Sequence, residues 1–451
     1  KIFHDFLNTT EEFTESRLFR SVARAFEGLS ISDDDISKYY EQAKRFITRK
    51  ETVKLTTIRE KLISLALERV SRTAPEWDKV AVHYRLKQAR KEAKANRGHF
   101  LDFNSLIHNG LEDGFYGDEL REYDEEYCEY LDKHIDHSRD KRLNYAGLML
   151  LLDRYCLRTS SGDLLELPQE RFMVIAMAVM SGEKENRLNK VLAHYNALSS
   201  GHTVATPTMA NAGMSSGQLS SCFIDTVDDN LQGIFDSNTD VANLSKNGGG
   251  IGLYFGKVRS VGASIRGHEG ASGGVVPWIK QANNTAISVD QLGKRAGAIA
   301  VYLDVWHADI LPFLDLRLAN GEERLRAHDV FTGVCIPDLF MRQVEANEEW
   351  YLFDPHEVRT VLGYSLEDYY DDYPLEGKKY LDSFSRRYTN AVIAHKEGRL
   401  KLSKEVKARD IMRRIMVSQK ETGTPYMFYR DTANRMNPNK HAGMIYSSNL
   451  C

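Results

Sequence analysis

Along the first two hundred residues, apolar positions recur at three- and four-residue spacing. Ile58, Leu62, Leu65 and Ala66 share one helical face, and Thr57-x-x-Glu60 has the form of a capping box, so the pattern predicts a helix over 57–71. The same period predicts helices near 15–28, 34–49, 78–94, 118–135, 142–157, 168–182 and 185–200. Beyond about residue 200 the period shortens. β-Branched and aromatic runs at 218–226, 251–255, 298–305, 330–336 and 350–353 alternate with helical stretches at 230–245, 275–286 and 337–346. Strands alternating with helices predict an α/β core. The breakers divide the chain in the same way: residues 1–200 hold 8 of the 31 glycines and 2 of the 10 prolines.

Length adds a domain count: 451 residues correspond to two or three domains. A net charge of −4, from 60 Lys+Arg against 64 Asp+Glu, does not suit a nucleic-acid or anionic-membrane binder. The charge run over 85–97 reads as a solvated helix face. Phe172 to Met180, nine residues, is the longest apolar run, and a membrane span needs about 18. No signal-peptide pattern is present at Lys1, although a chain that opens on Lys leaves a removed leader open. The five cysteines, Cys128, Cys156, Cys222, Cys335 and Cys451, are scattered without zinc-ligand spacing. A reducing, cytoplasmic compartment and no resident metal are expected.

Candidate chemistry concentrates after residue 200. Gly248-Gly249-Gly250-Ile251-Gly252 fits neither G-x-G-x-x-G nor a Walker loop, since Val258 follows Lys257 where Ser or Thr is required. The glycines therefore mark a close approach, either to a ligand or to another piece of backbone. Arg259 and Arg266, in a stretch rich in Gly and Ser, read either as a polyphosphate clamp or as a solvated loop. A similar Gly- and Arg-containing patch includes Asp290-Gln291 and Arg295. Cys222, at the start of an apolar run, reads alone as core packing. Cys451 has no packing reason in its polar surroundings. His307 and Asp309 lack a third ligand nearby, so a hydrogen-bonded core histidine is expected there.

Taken in order, several segments resemble the large, catalytic subunit of aerobic class I ribonucleotide reductases. They are Ala205-Thr206-Pro207-Thr208-Met209, Ser220-Ser221-Cys222, Gly249-Gly250-Ile251-Gly252, the Arg259–Gly267 loop, Asp290 to Ala298, Trp306-His307-Ala308-Asp309, Thr422-Gly423-Thr424-Pro425-Tyr426 and Ser448-Asn449-Leu450-Cys451. The resemblance implies an N-terminal helical region followed by the first half of a ten-stranded α/β barrel: a degenerate ATP-cone-like part over 1–93, a helical domain over 94–200, and the half-barrel over 201–451 up to its finger loop. It implies radical reduction of ribonucleoside diphosphates, with a thiyl on Cys451, a redox-active Cys222, and Asn449 at the ribose. Thr206, Ser221, Gly249 and Gly250 match substrate-contacting positions. Asp229, Arg259 and Arg266 match the site where a deoxynucleoside triphosphate, with Mg2+, selects the base to be reduced, and Arg295 matches the loop that reports it. The implied partners are a small metal-containing subunit that supplies the radical, a second copy of the chain, thioredoxin or glutaredoxin, and the remaining C-terminal part of the subunit. No cofactor is expected on this chain itself.

The sequence departs from the family pattern in two places. The family continues past the Cys451 position with a glutamate and a second redox cysteine, so this chain by itself is expected to be an incomplete catalyst. Residues 1–93 lack the usual Lys-Arg-Asp-Gly opening and carry Arg59 where a histidine is often found, so a structural helical region is expected there in place of the usual ATP or dATP site. Asn449-Leu450-Cys451 points to class I. The alternatives are an adenosylcobalamin-dependent class II reductase, and a catalytically inactive nucleotide-binding regulator or split fragment.

Overall fold

The structure, a computed structural model, describes residues 2–4, 9–203, 206–289 and 298–450. Cys451 and Arg295 therefore lie outside the described residues. The chain divides into two compact units, Lys1–Leu219 and Ser220–Cys451.

The first unit is mostly helical. Its front carries three very short strands, β1 (Ile2–His4), β2 (Thr9–Glu11) and β3 (Val53–Lys54), in the order β2-β1-β3. Helices Glu15–Phe26, Asp33–Thr48, Leu55–Leu67 and Trp77–Asn96 pack beside them around Tyr39, Trp77 and Tyr84. The helix predicted over 57–71 starts two residues earlier, with Lys54 at its N-cap, so Thr57 lies inside it and caps nothing. The charge run presents Lys87, Arg90, Lys91 and Lys94 to solvent, as expected of a solvated helix face, and buries its opposite side. Arg85, Ala89 and Ala93 are buried, and Arg97 forms a buried bidentate pair with Glu170. Buried Arg171 donates to the Met209 carbonyl (3.0 Å) and to the Ala212 carbonyl, which ties the helix Thr206–Asn211 and its exit to this unit. The division between units thus falls at 219/220.

The second unit is built on a five-stranded parallel sheet: β4 (Cys222–Thr226), β5 (Gly250–Tyr254), β6 (Ala298–Asp304), β7 (Phe331–Ile336) and, after the antiparallel pair β8 (Glu349–Leu352) and β9 (Lys404–Lys407), β10 (Tyr426–Tyr429). Its order is β10-β7-β6-β5-β4, so each strand lies next to its predecessor in the sheet. The central strands are buried on both faces, as parallel sheets require, whereas β4 at the edge is largely open.

Register sorts the residues between the faces. Ile251, Leu253, Ile299, Val301, Leu303, Val334 and Ile336 point into the main apolar core with Ile234, Val241, Ile279 and Ile415 of the covering helices. The opposite face carries Cys222, Gly250, Gly252, Tyr254, Ala298, Ala300, Tyr302, Gly333 and Cys335, because directly paired residues of parallel strands share a face. G-I-G-L-Y in β5 and A-I-A-V-Y in β6 therefore alternate small and large with period two. One face is aliphatic. The other is recessed, and it is the face with the candidate chemistry.

Candidate active site

The recessed face is covered by the irregular segment 443–450. A Cβ on Gly250 would collide with the Leu450 carbonyl oxygen, and one on Gly252 with the Ser448 carbonyl oxygen. The close approach implied by the glycine cluster is thus to another piece of this chain. Gly249 is set against the Phe223 ring instead. Gly250 is paired in register with Cys222, and its N–H donates to the Ser221 carbonyl (2.6 Å). The residue before Cys451 therefore lies over the strand that flanks Cys222.

Cys222 is exposed rather than core, because it opens an edge strand on the recessed face. The Ser221 Oγ lies 3.6 Å from its Sγ. Asn449 is fixed through its backbone, with the Tyr302 hydroxyl donating to its carbonyl (3.0 Å). Its side-chain Nδ2 is buried and has no hydrogen-bond partner among the described residues. An orphaned buried donor is costly unless a ligand completes it. Thr206 belongs to the helical unit and is exposed at the start of helix Thr206–Asn211.

A second cluster forms just after β4. Both carboxylate oxygens of Asp229 accept from Arg259 Nε (3.1 Å each), and Oδ1 also accepts from the Arg259 N–H (2.9 Å). Arg359 Nη2 reaches Oδ2 at 3.0 Å, and His356 lies at 3.7 Å. Arg266 is exposed in the adjoining loop, with φ +50°. Beside it a cavity of about 200 Å³ is lined by Ser264, Glu269, His356 and Lys401 among others. Arg359 and His356 lie far along the chain from Asp229, and no local motif marked them. Arg359 also pairs with Glu367 (2.7 Å), whose carboxyl burial pushes up to about 7, with Arg359 opposing the rise.

His307 is buried and structural. Its Nδ1 accepts from the Asp309 N–H (3.0 Å), so the proton sits on Nε2, which donates to the Val258 carbonyl (2.8 Å). Among the described residues, no group of three or more His, Cys, Asp or Glu side chains is placed to hold a metal ion.

The helical front holds a cavity of about 310 Å³ lined by Arg17, Arg20, Arg24, Arg59, Lys87 and Lys91, with Glu11. Burial, reinforced by Arg59, lowers the pKa of both Lys87 and Lys91. Arg17 is paired there with Glu11.

Residues 220–451 match the family model for the ribonucleotide reductase barrel domain, and residues 141–217 match the one for its all-alpha domain. The chain belongs to the ribonucleotide reductase large-subunit family. Among curated relatives, the ribonucleoside-diphosphate reductase subunit alpha of Treponema pallidum is 43% identical over 418 residues, covering 91% of this chain and 48% of that protein. The subunits of the same name from Helicobacter pylori strain J99 and from Synechocystis are 41% and 36% identical, covering 88% and 89% of this chain and 48% and 51% of those proteins. The chain thus spans about half the length of the curated relatives it matches. The five parallel strands and the segment 443–450 lie within the residues that match the barrel-domain model.

Proposed function

We propose that this chain is the N-terminal part of a catalytic subunit that reduces ribonucleoside diphosphates to deoxyribonucleoside diphosphates. The observation that carries this reading is the placement of the Leu450 carbonyl over Gly250, which pairs with Cys222, beside the orphaned amide nitrogen of Asn449. The residue that precedes Cys451 is thereby brought to the recessed face that carries Cys222. The printed name of the relatives supplies the substrate class.

In this reading the Cys451 thiyl, generated by a separate metal-containing subunit, takes the ribose 3′-hydrogen. The 2′-hydroxyl then leaves as water. Cys222 and a second cysteine from the rest of the subunit provide two electrons and two protons and end as a disulfide, and Cys451 returns its hydrogen to C3′. Asn449 Nδ2 donates to a ribose hydroxyl, while Ser221 and the backbone at Gly249 and Gly250 contact the substrate. Thioredoxin or glutaredoxin reduces the disulfide.

Asp229, Arg259 and Arg266 bind a deoxynucleoside triphosphate with its Mg2+, and Arg295 reports it to the substrate site. Asp229 already holds two guanidinium groups, so the effector's sugar hydroxyl shares the carboxylate with them. Leu231 and Phe235, exposed on the helix that follows Asp229, suit a contact with a second copy of the chain. The cation-lined cavity of the helical front is a second candidate for a nucleoside triphosphate.

The test uses the full-length subunit with its radical-generating partner and a dithiol reductant. Cys222→Ser and Cys451→Ser are each expected to abolish deoxyribonucleotide formation while effector binding persists. Undiminished turnover in either variant overturns the reading, and no turnover in the wild type leaves the nucleotide-binding regulator in its place.

A further inference from the structure

The segment 443–450 contains no strand or helix, so its path over the sheet depends on other groups. Side chains direct it. Asn437 Nδ2 donates to the Gly443 carbonyl (3.1 Å). Asn434 engages both backbone groups of Ile445, Nδ2 donating to the carbonyl (2.9 Å) and Oδ1 accepting from the N–H (2.8 Å). Arg430 Nη2 donates to the Tyr446 carbonyl (3.0 Å), which also lies 3.4 Å from the Cys335 Sγ. Arg430 and Asn434 stand one turn apart on the helix Arg430–Arg435, and both are buried.

Arg430 differs from the others in carrying a charge. It is 2% exposed, pairs with Asp304 (3.0 Å) at the end of β6, donates through Nη1 to the Glu367 carbonyl (3.0 Å), and lies 5.1 Å from the Tyr254 ring centroid. Asp304 accepts from the Tyr254 hydroxyl as well. Burial lowers the pKa of the guanidinium, and Asp304, Tyr254 and Cys335 more than offset it, so Arg430 is charged. A buried ion pair is an expensive way to hold a core together, and well-packed apolar side chains do as well or better. A rigid planar group adds direction: Nη1 faces Asp304 and donates to the Glu367 carbonyl, while Nη2 donates to the Tyr446 carbonyl, so two carbonyl oxygens are fixed relative to each other.

We propose that Arg430 is a positioning residue for ribonucleotide reduction, setting the height of the Tyr446 carbonyl above the sheet and so the reach of Asn449 toward the sugar. The proposal rests on the functional reading above. It gives the buried cation a role in geometry, carried along the irregular chain from Tyr446 to Asn449, without any contact to substrate.

The full-length subunit, assayed with its radical-generating partner and a dithiol reductant, tests this through Arg430→Lys. Lysine retains the cation facing Asp304 but cannot present a planar fork to two carbonyls. Expected are the melting midpoint and effector affinity of the wild type, a substrate KM within about twofold, and a kcat lowered about ten- to a hundredfold, because a displacement on the order of 1 Å costs about 10²-fold in rate. Arg430→Met is expected to lower kcat further, and if it fails to fold the lysine variant still decides. Wild-type kcat in Arg430→Lys overturns the proposal. So does a parallel fall of kcat, effector affinity and melting midpoint, the pattern of a purely structural residue. Failure of the wild type to reduce any ribonucleotide overturns the functional reading, and the proposal with it.

Discussion

The carbonyl oxygen of Leu450 occupies the space that a Cβ on Gly250 would need. Since Gly250 is in register with Cys222, this glycine sets the gap between the chain ahead of Cys451 and the strand that carries the other thiol. Gly252 does the same beneath Ser448. The two glycines are spacers whose missing side chains are part of the site.

Gly250→Ala is therefore expected to lift the segment off the sheet. In the full-length enzyme kcat should fall about 10²-fold, since positioning errors on the order of 1 Å carry that cost. Stability should fall by about 1–3 kcal/mol from overpacking. Steady-state kinetics and urea unfolding measure the two effects, and unchanged kcat would show that the close approach is not needed for reaction.

The Asp229 cluster predicts a loss of effector control. Removing the guanidinium in Arg259→Ala should weaken deoxynucleoside triphosphate binding by about ten- to a hundredfold, the usual value of a charge-assisted contact. Base selection should weaken with it. Equilibrium dialysis of the effector and the ratio of the four reduction rates check both. Affinity equal to wild type would remove Arg259 from the site.

Glu367 predicts a pH signature. Its folded-state pKa is pushed up by burial to about 7, above the ordinary glutamate value of 4.5. Between these values the folded state binds the extra proton, so stability falls as pH rises from about 4.5 to about 7 and is level above that. Glu367→Gln should flatten this part of the profile by about 3 kcal/mol. Melting midpoints of wild type and variant from pH 4.5 to 8 measure the difference, and parallel curves would rule Glu367 out as its source.

The cation-lined cavity of the helical front predicts triphosphate binding apart from the Asp229 cluster. Lys87→Ala with Lys91→Ala should weaken ATP or dATP binding at this site at least about tenfold. Calorimetry in the Arg259→Ala background isolates the signal. Identical heats in the presence and absence of the two lysines would return this region to a structural role.

Long periodic elements were legible in the sequence because a helix that buries one face must repeat its apolar residues. The helices at Glu15–Phe26, Asp33–Thr48 and Pro168–Val179 lie within three residues of their predicted ends. Most strands of two to four residues carry too little pattern: β8 was anticipated from its Trp-Tyr-Leu-Phe run, but β1, β2, β3, β9 and β10 were not, although β10 completes the five-stranded sheet. Thr57-x-x-Glu60 matched a cap by composition alone, while Lys54 begins the helix. Cys222 read as core because the run behind it is apolar, but an edge strand leaves its first residue open.

Local order along the chain was enough to determine the helical front, the alternating strands and helices behind it, and the resemblance that singled out Cys222, Asn449 and Cys451. Their arrangement was a tertiary matter. Gly250 lies under Leu450, Asp229 binds Arg359, and Arg430 holds the Tyr446 carbonyl because parallel strands and their connections bring together residues from 16 to 200 positions apart. No periodicity encodes such contacts. They follow from how the small and large faces of one sheet, once folded, can be covered.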